Sequence, residues 1–406
     1  MTAGLARVDL ADPDLYATGD PHAVWRRLRA SDPVHWQPPT GGRPGFWSVT
    51  RYTDVDRVLS DHATFTSERG TLLNLLGRPD PAAGRQLAAT DPPRHDRMRA
   101  PLQQALSPRA VQRCVPHVAA AVDRVLDPVR QAAGGVVDLV PVLRLLPLAA
   151  AGPLLGLPTP DWPRLATLAA MCAAEDDAEV QLPGGVEATL ARGHRELFAY
   201  FADLVRQRSR TPGDDLISVL VRMRFDGGPL RPSAVVANCY SLLLGAAVTL
   251  PCVPAATVAH LGATGRWRGF ADQPDLLDDA VEEALRYASP AMHFMRQVRS
   301  PARLGDTDLN EGDAVVAWLA AANRDPAVFV DPDRFVPTRR PNRHLTFGSG
   351  RHYCIGANLA RLTLRLLFGA LAREFADLEP AGPVVRVRST FLAGIKRLPV
   401  TPRRHR

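Results

Sequence analysis

Lysine is nearly absent: Lys396 is the sole lysine in 406 residues, so the formal charge of +7 is an arginine charge. Those arginines are interspersed with acids along the whole chain, not clustered with aromatics, which argues against a nucleic-acid surface. A positive field of this kind favours encounters with an acidic protein. Cysteine is also scarce. The five residues Cys114, Cys172, Cys239, Cys252 and Cys354 are an odd number with no CxxC pair, which excludes a disulfide framework and a structural zinc site and fits a reducing cytoplasm. An apolar leader is missing too, because MTAGLARVDLADPDLYATGD carries acids where a secretory signal needs hydrophobic residues.

What the chain does have is a large apolar share, 46% hydrophobic against 22% charged, enough for a sizeable core. Without internal repeats or linkers, residues 1–406 read as a single domain. Residues 232–265 contain no Asp, Glu, Lys or Arg. Their length would permit a membrane span. Asn238, Pro251, Pro254 and His260 interrupt the run, so a buried central helix is expected and no membrane partner.

Helical patterning covers residues 109–132, 143–156, 186–209, 214–224, 232–250, 275–288 and 357–376, and strand-like pieces lie near 314–319, 384–388 and 395–400. HAVWRRLRASDPVHW reads as a helix running into Asp32-Pro33, and GFWSVTRY as a strand. The fold class is therefore mainly α with a small β portion from both chain ends. The 275–288 helix has a start at Asp275 and a stop at Ser289-Pro290. On it Glu283 and Arg286 are three apart, a spacing that by itself indicates an ordinary helical ion pair.

The most informative stretch is HLTFGSGRHYCIGANLARLTLRLLFGALAREF, residues 344–375. A glycine-rich turn delivers Cys354 just ahead of a long helix, where backbone N–H groups and the positive helix end favour thiolate, the form that binds a metal. Gly348, Gly350 and Gly356 allow a tight turn against a flat ligand, with Phe347 packed nearby. A lone cysteine is ordinarily a small buried hydrophobe, and the other four keep that reading. No structural need explains Phe-Gly-x-Gly, a basic residue, His and Gly together around Cys354.

FGSGRHYCIG resembles the haem-binding signature of the cytochrome P450 family, FGxGxHxCxG, at every position. DPPRHDRMR, PGDDLISVLV, EALR, ANRDP and DPDRF follow the order of soluble bacterial members, so the resemblance spans nearly the whole chain. It implies a P450 fold, with a helical domain, a minor β region, and haem b (iron protoporphyrin IX) between the central and cysteine-side helices. It implies Cys354 as axial iron ligand, and His95, Arg99, Arg296 and His352 as propionate contacts. Arg94, Arg97 and Arg299 read as solvated neighbours. It further implies that Glu283, Arg286 and Arg334 form a buried charge triad, which replaces the ordinary ion-pair reading.

The central helix departs from the family pattern. Where an acid usually precedes threonine, this chain has Val248 before Thr249. Thr249 is the catalytic candidate for holding water in proton delivery, against the alternative that its hydroxyl back-bonds within the helix. Pro251 lacks an N–H and would clash with the carbonyl of Ala247, so a kink is expected to free carbonyls for water. Leu244, Val248, Phe294, Met295, Phe391 and Leu392 are pocket candidates by family position. Segments 69–90 and 160–190 are expected to admit substrate, with AAEDDAEVQLPGG as a mobile lid.

The resemblance implies a monooxygenase that hydroxylates or epoxidises a small hydrophobic substrate, with a bias toward bacterial natural-product tailoring. Nothing in the chain resembles a flavin, nicotinamide or iron–sulfur module, so electrons are expected from a ferredoxin and its reductase. Two readings compete: haem-dependent coupling or peroxide-driven oxidation, where proton relay matters less, and a non-catalytic helper of a glycosyltransferase. The intact cysteine loop speaks against the helper.

Overall fold

The structure is a computed structural model describing residues 8–225 and 227–405; of the N-terminal stretch examined for a leader, residues 1–7 lie outside it. Helices dominate. The 109–132 pattern resolves into Pro108–Gln112 and Val115–Gln131, and the 143–156 pattern into Leu139–Arg144 and Leu146–Leu155. Gly185–Arg210, Leu216–Arg222 and Ala357–Glu374 lie close to their expected bounds.

Helix Leu277–Ala288 forms because Ala280, Val281, Ala284, Leu285 and Ala288 make one buried stripe at helical spacing. Asp278 and Asp279 occupy its first turn, where the helix dipole favours acids. Asp275 does not cap it. That residue falls in a 3-10 turn, Pro274–Leu276, and the cap position is taken by Leu276 without a side-chain hydrogen bond. The same buried stripe carries Glu283 and Arg286 inward.

The principal sheet has the strand order Val34–Gln37, Phe46–Val49, Ala314–Trp318, His293–Val298, Phe65–Thr66. Ala314–Trp318 runs parallel to Phe46–Val49 and antiparallel to His293–Val298. A second sheet joins Phe375–Pro380, Pro399–Arg404 and Val137–Asp138. The β portion thus draws on the middle of the chain as well as its ends.

The long apolar run, Pro232–Ala263, meets the length and hydropathy of a membrane span. In the structure it is two helices, Pro232–Ala247 and Cys252–Ala263. The first packs against Leu146–Leu155, Trp162–Ala173 and Gly185–Arg210 in the largest apolar cluster, with Leu148, Leu165, Leu197 and Leu243 in its centre. A second cluster, around Leu126, Trp267, Phe368 and Leu378, anchors the cysteine helix Ala357–Glu374. Burying each such side chain contributes about 1.5–3 kcal/mol. Gly245 lies in the last turn of the Pro232–Ala247 helix, and a Cβ there would meet no atom within 4 Å.

Candidate functional site

The cysteine loop is locked by backbone geometry. Gly350 has φ +64°, and a Cβ there would come 2.7 Å from Cα of Ser60, so no other residue fits. The N–H of Cys354 donates to the carbonyl of Phe347 at 2.8 Å, and that of Gly348 to Leu345 at 2.8 Å. The next turn opens the cysteine helix, with Gly356 at its cap. Burial pushes the Cys354 thiol up, opposed by the N–H groups of Gly356 and Ala357 and the guanidiniums of Arg99 and Arg361. The sequence argument counted only the opposing groups. Cys354 itself is exposed at the surface of the loop, yet desolvation by the protein packed around it outweighs them; direct contact with a metal cation would reverse the balance.

Arg361 was not singled out from the sequence. Its guanidinium lies 4.6 Å from the ring centroid of Phe347, fixed by Glu282 through contacts of 2.7 and 2.8 Å. His344 completes this network at 3.2 Å from Glu282.

Three basic side chains converge beside the loop. His95 is fully buried, its ring centroid 4.4 Å from that of His352. His95 Nδ1 meets Asp96 at 3.1 Å, but its buried Nε2 has no partner. Arg296 is 4% exposed and, among the described residues, donates only to the adjacent carbonyl of Met295, at 2.8 Å. Among the described residues no carboxylate lies within ion-pair distance of it, and burial pulls its pKa down to about 10. His352 is lowered to about 4 by burial, with Arg296 and His95 adding to the effect. Such a group of buried donors is costly unless an anion neutralises it. Arg99 points elsewhere. It donates to the carbonyl of Tyr353 at 2.7 Å, bracing the residue before Cys354.

Arg299 is more than a solvated neighbour, because it meets Asp91 at 2.6 Å. Burial would raise Asp91, but hydrogen bonds from Thr66 and the Ser67 N–H, with Arg299 alongside and His352 3.9 Å away, hold it well below the usual carboxylate range. Arg94 donates to the carbonyl of Gly84 at 2.9 Å, and Arg94 and Arg97 both lie over the ring of Phe225.

The expected triad is formed with a different third member. Arg286 binds both oxygens of Glu283, at 2.7 and 2.8 Å, with both side chains fully buried. Arg334 is 63% exposed and pairs with Asp331 on the surface; it reaches the centre only through its backbone carbonyl, which accepts from Arg286 at 2.9 Å. The side chain that turns inward is Arg339, 3.0 Å from Glu283 and 8% exposed.

A cysteine loop ahead of a long helix, an anion-hungry basic cluster beside it and a buried Glu-Arg-Arg network behind it form one recognisable arrangement. Comparison with known proteins decides it. The Cytochrome P450 family model matches residues 272–396. Cytochrome P450 NovI of Streptomyces niveus is 34% identical over 98% of this chain and 96% of its own length. Linalool 8-monooxygenase of Pseudomonas putida is 32% identical, covering 98% of this chain and 99% of that protein. The chain belongs to the cytochrome P450 family. The crystal structure of P450 OxyD, involved in the biosynthesis of vancomycin-type antibiotics, superposes with a TM-score of 0.86 at 35% identity, covering 98% of this chain and 100% of that one. The protein is thus a P450 monooxygenase with the P450 fold, and its family implies a haem-thiolate cofactor. The unpartnered Nε2 of His95 and the unpaired, buried Arg296 fit the carboxylates of such a group.

In this P450 the central helix breaks after Ala247 and resumes at Cys252. Among the described residues no backbone N–H donates to the carbonyls of Ala246 or Ala247, the opening expected from Pro251. The Thr249 hydroxyl donates to the carbonyl of Gly245 at 3.2 Å, which is the back-bonded arrangement. Leu244, Val248, Phe391 and Leu392 meet in one apolar cluster with Ala173 and Ala174. Phe294 joins from the side, its ring centroid 6.2 Å from that of Phe391. Met295 does not. Side chains alternate along strand His293–Val298, so Met295 packs with Leu73 and Leu76 in another cluster. It also borders a groove of about 690 Å³ between the 69–84 segment and the sheet, lined by Trp36, Glu68, Arg296 and Asp313.

The acidic 174–184 segment is tied down, unlike the mobile lid expected. Both oxygens of Asp177 lie 2.9 Å from Nζ of Lys396, and Asp177 also accepts from the N–H of Arg388 at 2.8 Å. Part of the 160–190 segment is regular helix, Trp162–Ala173. Acidic composition suggested mobility, but ion pairing to the C-terminal hairpin of strands Val385–Arg386 and Ile395–Arg397 overrides it.

Proposed function

We propose that this P450 inserts one oxygen atom, by hydroxylation or epoxidation, into a hydrophobic organic substrate while tailoring a bacterial natural product. The observation that carries the reading is the buried basic cluster of Arg296, His95 and His352 beside the Cys354 loop, in which, among the described residues, the arginine has no ion-pair partner and the Nε2 of His95 has no hydrogen-bond partner. Cys354 would hold the iron of haem b, and these three side chains would receive its carboxylates, with Arg99 bracing the loop. Phe347 and Gly348 would shape the proximal face. When bound, the haem supplies dioxygen activation using electrons delivered one at a time, here from a ferredoxin and its reductase in the cytoplasm.

The remaining work falls to the chain. Leu244, Val248, Phe391 and Leu392 hold an apolar substrate and exclude bulk water. Thr249 Oγ1 and the carbonyls of Ala246 and Ala247 would hold ordered water for proton delivery in place of the acid that Val248 replaces. The natural-product reading is supported by similarity to the OxyD structure, whose protein is involved in antibiotic biosynthesis.

Val248 and the back-bonded Thr249 favour a second reading, haem-dependent coupling or peroxide-driven oxidation, in which proton delivery is less demanding. The test is product formed per NADPH consumed, with a competent ferredoxin system. Oxygen insertion predicts coupled turnover that Thr249→Ala disrupts. Turnover with peroxide alone, indifferent to Thr249→Ala, selects the second reading.

A further inference from the structure

Two carboxylates near the start of the acidic segment, after helix Trp162–Ala173, are buried, and their surroundings differ. Asp177, 2% exposed, is neutralised by Lys396 and by backbone donors. Its role in tying the segment to the hairpin is complete. Glu175, 7% exposed, has no such partner. Among the described residues no arginine, lysine or histidine pairs with it, and the one side chain that donates to its carboxylate is Asn74, Nδ2 to Oε1 at 2.8 Å; Gln181 Nε2 donates to its backbone carbonyl at 3.2 Å. Burial holds its acid pKa up, and the neighbouring charge of Asp176 acts in the same direction.

Its position is over the pocket. The two residues before it, Ala173 and Ala174, belong to the apolar cluster with Leu244, Val248, Phe391 and Leu392. Tyr240, one helical turn before Leu244 on the central helix, is within electrostatic reach of Glu175. Asn74 comes from the 3-10 turn Leu73–Leu75, on the segment expected to admit substrate. Glu175, with Asn74 and Tyr240, is therefore a polar point beside that apolar cluster, where three chain segments meet. A structural tie to Asn74 would be served equally by glutamine. A buried carboxyl without a cation is costly and matches a ligand that brings one.

We propose that Glu175, braced by Asn74, is the substrate-selecting residue of this P450 and receives a primary or secondary ammonium group. The substrate's apolar body then lies against Leu244, Val248 and Phe391. This assignment rests on the monooxygenase reading above and narrows its substrate class to amine-bearing molecules.

The test is calorimetric titration of the haem-loaded protein at neutral pH with two isosteric probes, phenylbutylamine and phenylbutanol. The amine should bind about tenfold or more tightly than the alcohol, the difference expected of a buried, charge-assisted contact. Glu175→Gln, nearly isosteric, should erase that preference and Asn74→Ala should weaken it, while Asp176→Asn should leave it intact. Equal affinity for the two probes in the parent protein, absent amine binding included, overturns the proposal. So does an amine preference that survives in Glu175→Gln, since it would report ligation of iron or contact elsewhere. The reduced carbon monoxide spectrum of each protein is recorded in parallel. A missing thiolate band in the parent counts against the haem-thiolate reading, whereas the ammonium assignment stands or falls on the calorimetry.

Discussion

Arg339 donates its Nε–H to both carboxylate oxygens of Glu283, at 3.0 and 3.2 Å, from a loop 56 residues further along the chain. Glu283 also accepts from Arg286 on its own helix, from the N–H of Val336 at 2.8 Å and from Asn342 at 3.2 Å. Every lone pair of a fully buried carboxylate is thereby engaged, and the helix of Glu283 is fastened to the loop that leads into the Cys354 turn. Arg339→Ala should cost about 3–5 kcal/mol, because it strands a buried charge network. Arg334→Ala should change stability by about 0.5 kcal/mol or less, because its side chain is exposed and its carbonyl survives the substitution. Denaturant unfolding of the two variants separates them; equal losses would contradict the assignment.

That exchange marks how far the sequence reaches. The Cys354 loop, the 275–288 helix and the 232–265 run were legible because local pattern determines each of them: glycine spacing, an apolar stripe and an absence of charge. Which arginine of the 331–340 loop turns inward depends on the path of an irregular segment, and a motif match at Arg334 carries no information about that path. Met295 was misplaced for a related reason. It was assigned by family position, although alternation along a strand sends neighbours Phe294 and Met295 to opposite faces. Arg361 went unnoticed because its partner Glu282 lies 79 residues away, and no local signal links the two.

Thr249→Ala should divert electrons from product to peroxide while leaving substrate affinity similar. Pro251→Ala should do the same, since an alanine N–H can rejoin the helix ladder at Ala247 and close the open carbonyl. The check is product per NADPH in each variant. Full coupling in both would remove the water-relay account.

His293 should make stability depend on pH. It is fully buried, with Nε2 accepting from the N–H of Leu73 at 3.1 Å and Nδ1 against the carbonyl of Thr390 at 3.1 Å. Burial lowers its pKa to about 4. The unfolded chain therefore binds the proton first as pH falls below its ordinary value of about 6.5. The stability that depends on a neutral His293 is complete above that value and is lost progressively toward pH 4, by about 2 kcal/mol at pH 5. Unfolding free energies of the parent and His293→Asn should converge between pH 7 and 5, and parallel curves would contradict the prediction.

Lys396→Ala should loosen the acidic segment, because Asp177 would keep only backbone donors in a buried setting. Hydrogen exchange across residues 174–184 should accelerate by about tenfold for each 1.4 kcal/mol of lost local stability. Unchanged protection would show that the hairpin contact is incidental.

The central claim is that Cys354 ligates the iron of a haem whose carboxylates meet Arg296, His95 and His352. The most direct measurement is the reduced carbon monoxide difference spectrum of the parent, Cys354→Ser, and Ser variants at Cys114, Cys172, Cys239 and Cys252. The parent and the four control variants should show the red-shifted Soret band of thiolate ligation, and Cys354→Ser should lose it. A thiolate band persisting in Cys354→Ser would contradict the account.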